Sequence, residues 1–204
     1  MRPTFRSSRL LQSPTIYFLR HGQTDWNVEM RIQGQHDIPI NETGRNQARQ
    51  NGRNLARLLD DPARFRYIAS PLGRTRETMD IVRQELGLPS HGYETDDRLN
   101  EIYFGLWQTF TMDELRQTEP EGVAAREADK FNFVPPLGES YAQLLQRIKS
   151  WLPYVREDAV VVCHGGVLRM LEHHLNGTPP EEVAHVLIPQ DRIYKWDGKR
   201  AEWL

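Results

Sequence analysis

Residues 16–27 read Ile-Tyr-Phe-Leu-Arg-His-Gly-Gln-Thr-Asp-Trp-Asn, an apolar run that ends on Arg20-His21-Gly22. Such a run, cut off by charge and glycine, suits a strand buried on both faces, the kind found in parallel sheets. The Arg-His pair then falls where the strand gives way to its connection, the edge at which open α/β sheets bind ligands. A guanidinium beside an imidazole at that edge implies an anion site with a nucleophile in it.

A second run, Ala159-Val-Val-Val-Cys163, is the strongest strand in the chain and is expected near the centre of the sheet. It ends in a similar way, on His164-Gly165-Gly166, a tight turn into a helix expected to run to about Leu175. Between the two runs, strand-like and helical patterns alternate. Tyr67–Ala69 is a short strand followed by a Ser70-Pro71 turn. Asn41–Leu59 carries Ala48, Leu55, Ala56, Leu58 and Leu59 among polar residues, the mark of an amphipathic helix, with Asn41 or Thr43 as its cap. Thr75–Leu86 is helical until Gly87 and Pro89 stop it. Ser140–Val155 is helical despite Pro153. Ile193–Trp196 and Ala201–Leu204 close the chain as strands, the second at an edge. This alternation predicts an α/β fold: a three-layer α/β/α sandwich, its central sheet mostly parallel and covered by helices on both faces. Residues 103–137, with their aromatics, helical fragments and Pro135-Pro136, form an expected excursion over the active site.

The length of 204 residues suits one sizeable domain, placed at 15–204 behind a basic, Ser-rich flexible leader at 1–14. With 26 Lys+Arg against 28 Asp+Glu the net charge is -2, so neither nucleic acid nor membrane is an expected partner. Any anion site must be local. No apolar stretch approaches the roughly 20 residues that span a bilayer. The one cysteine, Cys163, excludes an internal disulfide framework and suits a reducing, cytoplasmic compartment. Its expected role is that of a small buried strand residue. A homodimer stays open.

If the two strong strands lie side by side and parallel, His21 and His164 meet at one edge despite their distance in sequence. A third strand end, Ser70-Pro71-Leu72-Gly73-Arg74, brings another arginine to the same rim. The Gly165-Gly166 turn offers backbone N–H groups at a helix N-terminus, where an anion is favoured. Two arginines, two histidines and that helix end would hold a compact dianion such as phosphate. Each residue also has a plainer structural reading. Arg20 could form a weak surface ion pair, and either histidine could be a satisfied core residue. Arg76 rivals Arg74, Asp96 and Asp97 rival Glu101, and Asn27 could serve only a turn. His36, His91 and His185 share no ligand spacing. His173 and His174, adjacent on a helix and expected at the surface, cannot both face one ligand. No metal and no cofactor is therefore expected.

Four motifs in this order, Arg20-His21-Gly22-Gln23-Thr24-x-x-Asn27, Ser70-x-Leu72-x-Arg74, Leu99-Asn100-Glu101 and His164-Gly165-Gly166, carry a resemblance from about residue 15 to the end. The sequence resembles the histidine phosphatase superfamily, which groups cofactor-dependent phosphoglycerate mutases with many phosphomonoesterases. The resemblance implies a phosphoglycerate mutase-like fold and makes His21 the nucleophile phosphorylated during turnover. It implies that Arg20, Arg74 and His164 hold the phosphoryl oxygens, with Asn27 assisting, and that Glu101 donates the proton. The chemistry is coherent. Phosphoryl transfer spreads charge over equatorial oxygens that cations can clamp, a neutral imidazole is a competent nucleophile, and the leaving alkoxide needs a proton. The arginines and a protonated His164 would stand in for a metal.

Gln33, Gly34 and Gly165 are further expected substrate contacts. Gln23, Tyr103, Trp107 and Phe131–Phe133 are candidates for the entrance, packing onto the core being the alternative for Phe131 and Phe133. The mutases carry a longer basic insertion after the proton donor, whereas here Arg116, Arg126 and Lys130 are scattered among acids. The expected activity is a metal-independent phosphomonoesterase acting on a small phosphorylated metabolite. Mutase-type transfer on the same site, or non-catalytic binding of a phospho-ligand, are the alternatives.

Overall fold

The computed structural model describes residues 13–204, so the expected leader at 1–14 lies, through residue 12, outside the described residues. Six strands, β1 (Ile16–Arg20), β2 (Arg66–Ala69), β3 (Glu94–Thr95), β4 (Ala159–Cys163), β5 (Ile193–Trp196) and β6 (Ala201–Trp203), form one sheet in the order β3-β2-β4-β1-β5-β6. β4 pairs in parallel with both β1 and β2, and β2 with β3; β5 and β6 close one edge antiparallel. The register sets Arg20 opposite Cys163, so β1 and β4 end level with each other. That places His21 and His164, the next residue of each, on one edge.

Eight helices are described: α1 (Asp25–Val28), α2 (Glu42–Leu58), α3 (Gly73–Glu85), α4 (Met112–Thr118), α5 (Pro120–Ala128), α6 (Tyr141–Trp151), α7 (Gly165–Asn176) and α8 (Pro180–Val183). The pleat sends alternate strand residues to opposite faces. Phe18, Ile68, Val161 and Cys163 pack with Leu144 and Ile148 of α6 and Leu168 and Leu171 of α7. Tyr17, Leu19, Val160 and Val162 pack on the other face with Leu55 of α2 and Met79 and Val82 of α3. Each such aliphatic side chain, fully buried, contributes about 1.5–3 kcal/mol. Both faces of β4 are therefore apolar, which is why its sequence does not alternate.

Local chemistry sets the ends. Asn41, rather than Thr43, caps α2, its Oδ1 accepting the Gly44 N–H at 3.0 Å. Ser140 and Gln143 form a reciprocal capping box on α6. That helix stops at Trp151, short of the expected Val155, and tightens into a 3₁₀ turn at Leu152–Tyr154 because Pro153 has no N–H to continue the ladder. β3 was not expected: Glu94 and Thr95 are both exposed and leave no apolar signature. The 103–137 segment has a small core of its own, with Trp107, Leu115 and Val123 against Phe133 and Ile32. It is tied to residues 32–35 by Ile32 N–H to Phe110 O at 2.9 Å and Gln35 N–H to Gln108 Oε1 at 2.7 Å. Among the described residues no helix is long and apolar enough to cross a membrane.

Candidate active site

The His21 N–H donates to Cys163 O at 3.0 Å, extending the central ladder by one residue. The chain then passes so close to the first turn of α2 that a methyl group on Gly22 would overlap the backbone of Gly44. Only glycine fits there. The His21 ring is buried, with Nδ1 2.8 Å from Gly22 O. A carbonyl oxygen only accepts, so Nδ1 carries the proton and Nε2 presents its lone pair.

His164 is fully buried at the end of β4. Its Nε2 lies 2.9 Å from Ser70 Oγ, and Ser70 Oγ lies 2.9 Å from Asn100 Oδ1. The amide oxygen can only accept, so Ser70 donates to Asn100 and accepts from His164 Nε2–H. The other ring nitrogen, Nδ1, is left as a buried acceptor with no partner. The two imidazoles stand edge to face with ring centres 5.2 Å apart. Burial first, and then the charges of Arg74 and Arg20, push both histidines well below the usual imidazole range. In the unliganded protein these causes disfavour the protonated form of His164.

Two guanidinia flank the pair. Arg74 is anchored through its terminal nitrogens to His36 O at 2.6 Å and Gly34 O at 2.7 Å; Arg20 donates to Ile188 O at 2.8 Å. The Nε of each is buried and unpartnered. Burial lowers Arg20 to about 10, with Glu101 the main opposing charge and Arg169 and Arg74 adding to the fall. Burial also lowers Arg74, opposed by Glu101 and Asp37. Fixed cations, short of anionic partners and each holding back an unused donor, are the electrostatics of an anion clamp.

Glu101 takes the place expected for the anion at the helix end. The Gly166 N–H, in the first turn of α7, donates to its Oε1 at 3.0 Å and Oε2 at 3.2 Å, and the Ile102 N–H donates to Oε1 at 2.9 Å. A side chain on Gly166 would collide with this carboxylate. Gly165 sits instead beneath the Arg20 guanidinium.

The remaining expected residues divide. Gly34 contributes the carbonyl that anchors Arg74, and Gln33 is buried in the same loop with its side-chain oxygen unpartnered. The Asn27 side-chain oxygen is engaged by Thr24 N–H at 3.1 Å and Gln190 Nε2 at 3.0 Å, and so supports the loop after His21. Trp107 is 1% exposed and packs on Phe133 at 5.1 Å, which removes both from the entrance. Phe131 packs on His173 at 5.5 Å, and that histidine is only partly exposed. Tyr103 stays exposed. Arg116 pairs with Asp113 and Glu127, whereas Arg126 and Lys130 are partly buried, and burial first, with the charge of Arg169 behind it, lowers both. Among the described residues no three His, Cys, Asp or Glu side chains gather as a metal-ligand set.

Sequence reasoning missed the supports. Ser70 and Asn100 lie inside two of the motifs, yet nothing in those motifs says that their side chains join behind His164. Gln190, which also donates to His21 O at 3.1 Å, and Arg147, which donates to Arg98 O and Asn100 O at 2.7 and 2.8 Å, carried no signal.

The profile of the histidine phosphatase superfamily (branch 1) matches residues 16–203. The chain is 32% identical over 189 residues to rat 6-phosphofructo-2-kinase/fructose-2,6-bisphosphatase 3, covering 91% of this chain and 32% of that one. It thus spans about a third of the length of that relative. It is 30% identical over 194 residues to the probable phosphoglycerate mutase GpmB of Erwinia tasmaniensis, covering 93% and 87%. Among solved structures, Bacillus stearothermophilus YhfR superposes with a TM-score of 0.80 at 30% identity, over 93% of this chain and 95% of that one. A putative alpha-ribazole-5'-P phosphatase from Escherichia coli K-12 gives 0.77 at 26%, over 94% and 95%.

Proposed function

The chain belongs to the histidine phosphatase superfamily (branch 1), a group of phosphatases and mutases, and from that premise we propose a metal-independent phosphomonoesterase working through a phosphohistidine on His21. The observation that carries this reading is the fixed tautomer of His21. Its Nδ1 is held on Gly22 O, so the free lone pair lies on Nε2, in a ring edge to face with His164.

In the first step His21 Nε2 attacks phosphorus, and the ester oxygen leaves with a proton from Glu101. Arg20, Arg74 and His164 hold the three equatorial oxygens, where the charge of the loose transition state accumulates. In the second step water attacks the phosphohistidine and returns its proton to Glu101, releasing phosphate and neutral His21. His164 needs a proton on Nδ1 to donate to a phosphoryl oxygen, and in the free protein burial and the neighbouring arginines disfavour that proton. The monoanion of the ester can bring it. Substrate and proton then enter together, and the buried cations stand where a metal would otherwise neutralise the phosphate.

Residues 15–204 would act as one catalytic unit, with 103–137 set over the entrance through the Gln108–Gln35 contact. A small phosphorylated metabolite is the substrate class, and a reducing cytoplasm suits the single buried thiol. The test is hydrolysis of p-nitrophenyl phosphate at mildly acidic pH with a chelator present. Turnover that survives chelation supports the reading. No turnover indicates a binding module, and loss on chelation indicates a metallophosphatase. Efficient conversion of 3-phosphoglycerate to 2-phosphoglycerate, with a bisphosphoglycerate primer, would transfer the same site to mutase chemistry.

A further inference from the structure

We propose that Gln47 and Thr78 are positioning residues for His21: they hold the two peptides on either side of Gly22 and so decide which ring nitrogen carries the proton. This deepens the phosphatase reading and rests on it.

The Gly44 backbone leaves no room for a Cβ at residue 22. Glycine has no side chain to restrict its dihedrals, so the peptides that flank it are free to turn unless something else holds them. One of them, Gly22–Gln23, carries the carbonyl that accepts the His21 Nδ1–H at 2.8 Å. Rotated by half a turn, this peptide would point the Gln23 N–H at Nδ1 instead. Nδ1 would then accept, the single proton of the neutral ring would sit on Nε2, and no lone pair would face phosphorus. A fixed nucleophile needs that peptide held from outside the loop.

Two helices supply the hold. The Gln23 N–H, at the other end of the same peptide, donates to Gln47 Oε1 on the second turn of α2 at 2.9 Å. An N–H only donates, so the amide of Gln47 must face it with its oxygen. The preceding peptide is pinned as well: the Gly22 N–H donates to Thr78 Oγ1 of α3 at 3.1 Å, and His21 O accepts from Gln190 Nε2 at 3.1 Å. Thr78 is fully buried, and its hydroxyl donates to Arg74 O at 2.7 Å. A threonine within a helix commonly uses its hydroxyl on that i−4 carbonyl alone. Here a lone pair of the same oxygen meets the Gly22 N–H, which ties the loop of the nucleophile to the turn of α3 that carries Arg74. An ion pair, Arg45 Nε to Glu77 Oε1 at 2.7 Å, joins α2 to α3 close to Gln47 and Thr78. Gln47 is only half-buried, so packing does not account for its place.

Selective nitrogen-15 labelling of histidine reads the tautomer directly, because protonated and unprotonated ring nitrogens resonate far apart. In the native protein His21 should show Nδ1–H alone. Gln47→Leu and Thr78→Val each remove one acceptor and should each admit the Nε2–H form. kcat for p-nitrophenyl phosphate should fall in proportion to the remaining Nδ1–H fraction, by up to about tenfold, with KM within about twofold. Gln47→Glu and Thr78→Ser keep an acceptor in place and should restore the Nδ1–H spectrum. A ring that stays Nδ1–H in both Gln47→Leu and Thr78→Val overturns the proposal, and so does a kcat loss that does not follow the tautomer. Should Thr78→Val fail to fold, Gln47→Leu, at a half-exposed helix position, decides. If no ester is hydrolysed, the phosphatase reading fails, while the spectra still support or refute the hold on His21.

Discussion

Ser70→Ala removes one hydroxyl from a relay of three side chains. In the native protein His164 Nε2–H donates to Ser70 Oγ, and Ser70 donates to Asn100 Oδ1, both at 2.9 Å. The substitution creates little void but leaves a buried ring N–H and an amide oxygen without partners. The buried ring N–H costs about 1–3 kcal/mol and the half-buried amide oxygen of Asn100, which water can reach, about 1 kcal/mol, so a loss of roughly 2–4 kcal/mol is expected. For a chain of this size that is a fall in Tm of roughly 5–15 °C. The functional consequence is separate. With Ser70 gone, nothing holds the proton on Nε2, and Nδ1 is no longer reserved for the phosphoryl oxygen. We expect kcat/KM for p-nitrophenyl phosphate to drop roughly tenfold to a hundredfold, less than loss of a whole oxyanion donor. Calorimetry gives the first number and steady-state kinetics the second. The decisive comparison is a double-mutant cycle with His164→Ala, in which the kinetic effect of Ser70→Ala should vanish. An undiminished kinetic cost in that background, or no change in Tm, would refute the relay.

Four further outcomes follow from the same geometry. Glu101→Gln should slow alkyl phosphate esters by about a hundredfold or more, the usual contribution of a general acid, and p-nitrophenyl phosphate far less, because its leaving group needs little protonation; equal losses on both remove Glu101 from the acid role. kcat/KM should fall about tenfold per pH unit above the second ionisation of the ester, near pH 6, because the neutral His164 of the free protein must gain a proton with the substrate; a rate that is level to pH 8 contradicts this. The same depressed histidines set the sign of the stability change: unfolded imidazoles bind protons that the buried ones refuse, so Tm should fall as pH drops below about 6.5. Gly22→Ala should cost about 3 kcal/mol or more, since the added methyl meets the Gly44 backbone rather than a side chain able to move; unfolding in denaturant measures it.

The frame was legible where burial leaves a pattern. Ala159–Cys163 faces apolar layers on both sides, and its unbroken Ala-Val-Val-Val-Cys run says so. Glu94–Thr95 pairs through its backbone at an edge with both side chains in solvent, so its sequence carries no trace of a strand. The site was legible where chemistry is concentrated at strand ends. His21, His164, Arg20 and Arg74 could be gathered because two histidine-glycine steps follow two adjacent parallel strands. What joins them was not. The Ser70–Asn100 contact depends on where two loops cross. The Gly166 N–H looked available to a ligand until Glu101, far away in sequence, took it.

The most direct measurement is capture of the covalent intermediate. The protein is mixed with radiolabelled p-nitrophenyl phosphate, quenched within milliseconds, and digested for mass spectrometry under alkaline conditions. The account predicts acid-labile, alkali-stable phosphate on the peptide containing His21, absent from His21→Ala. Label on another residue, or label that persists in His21→Ala, would contradict it.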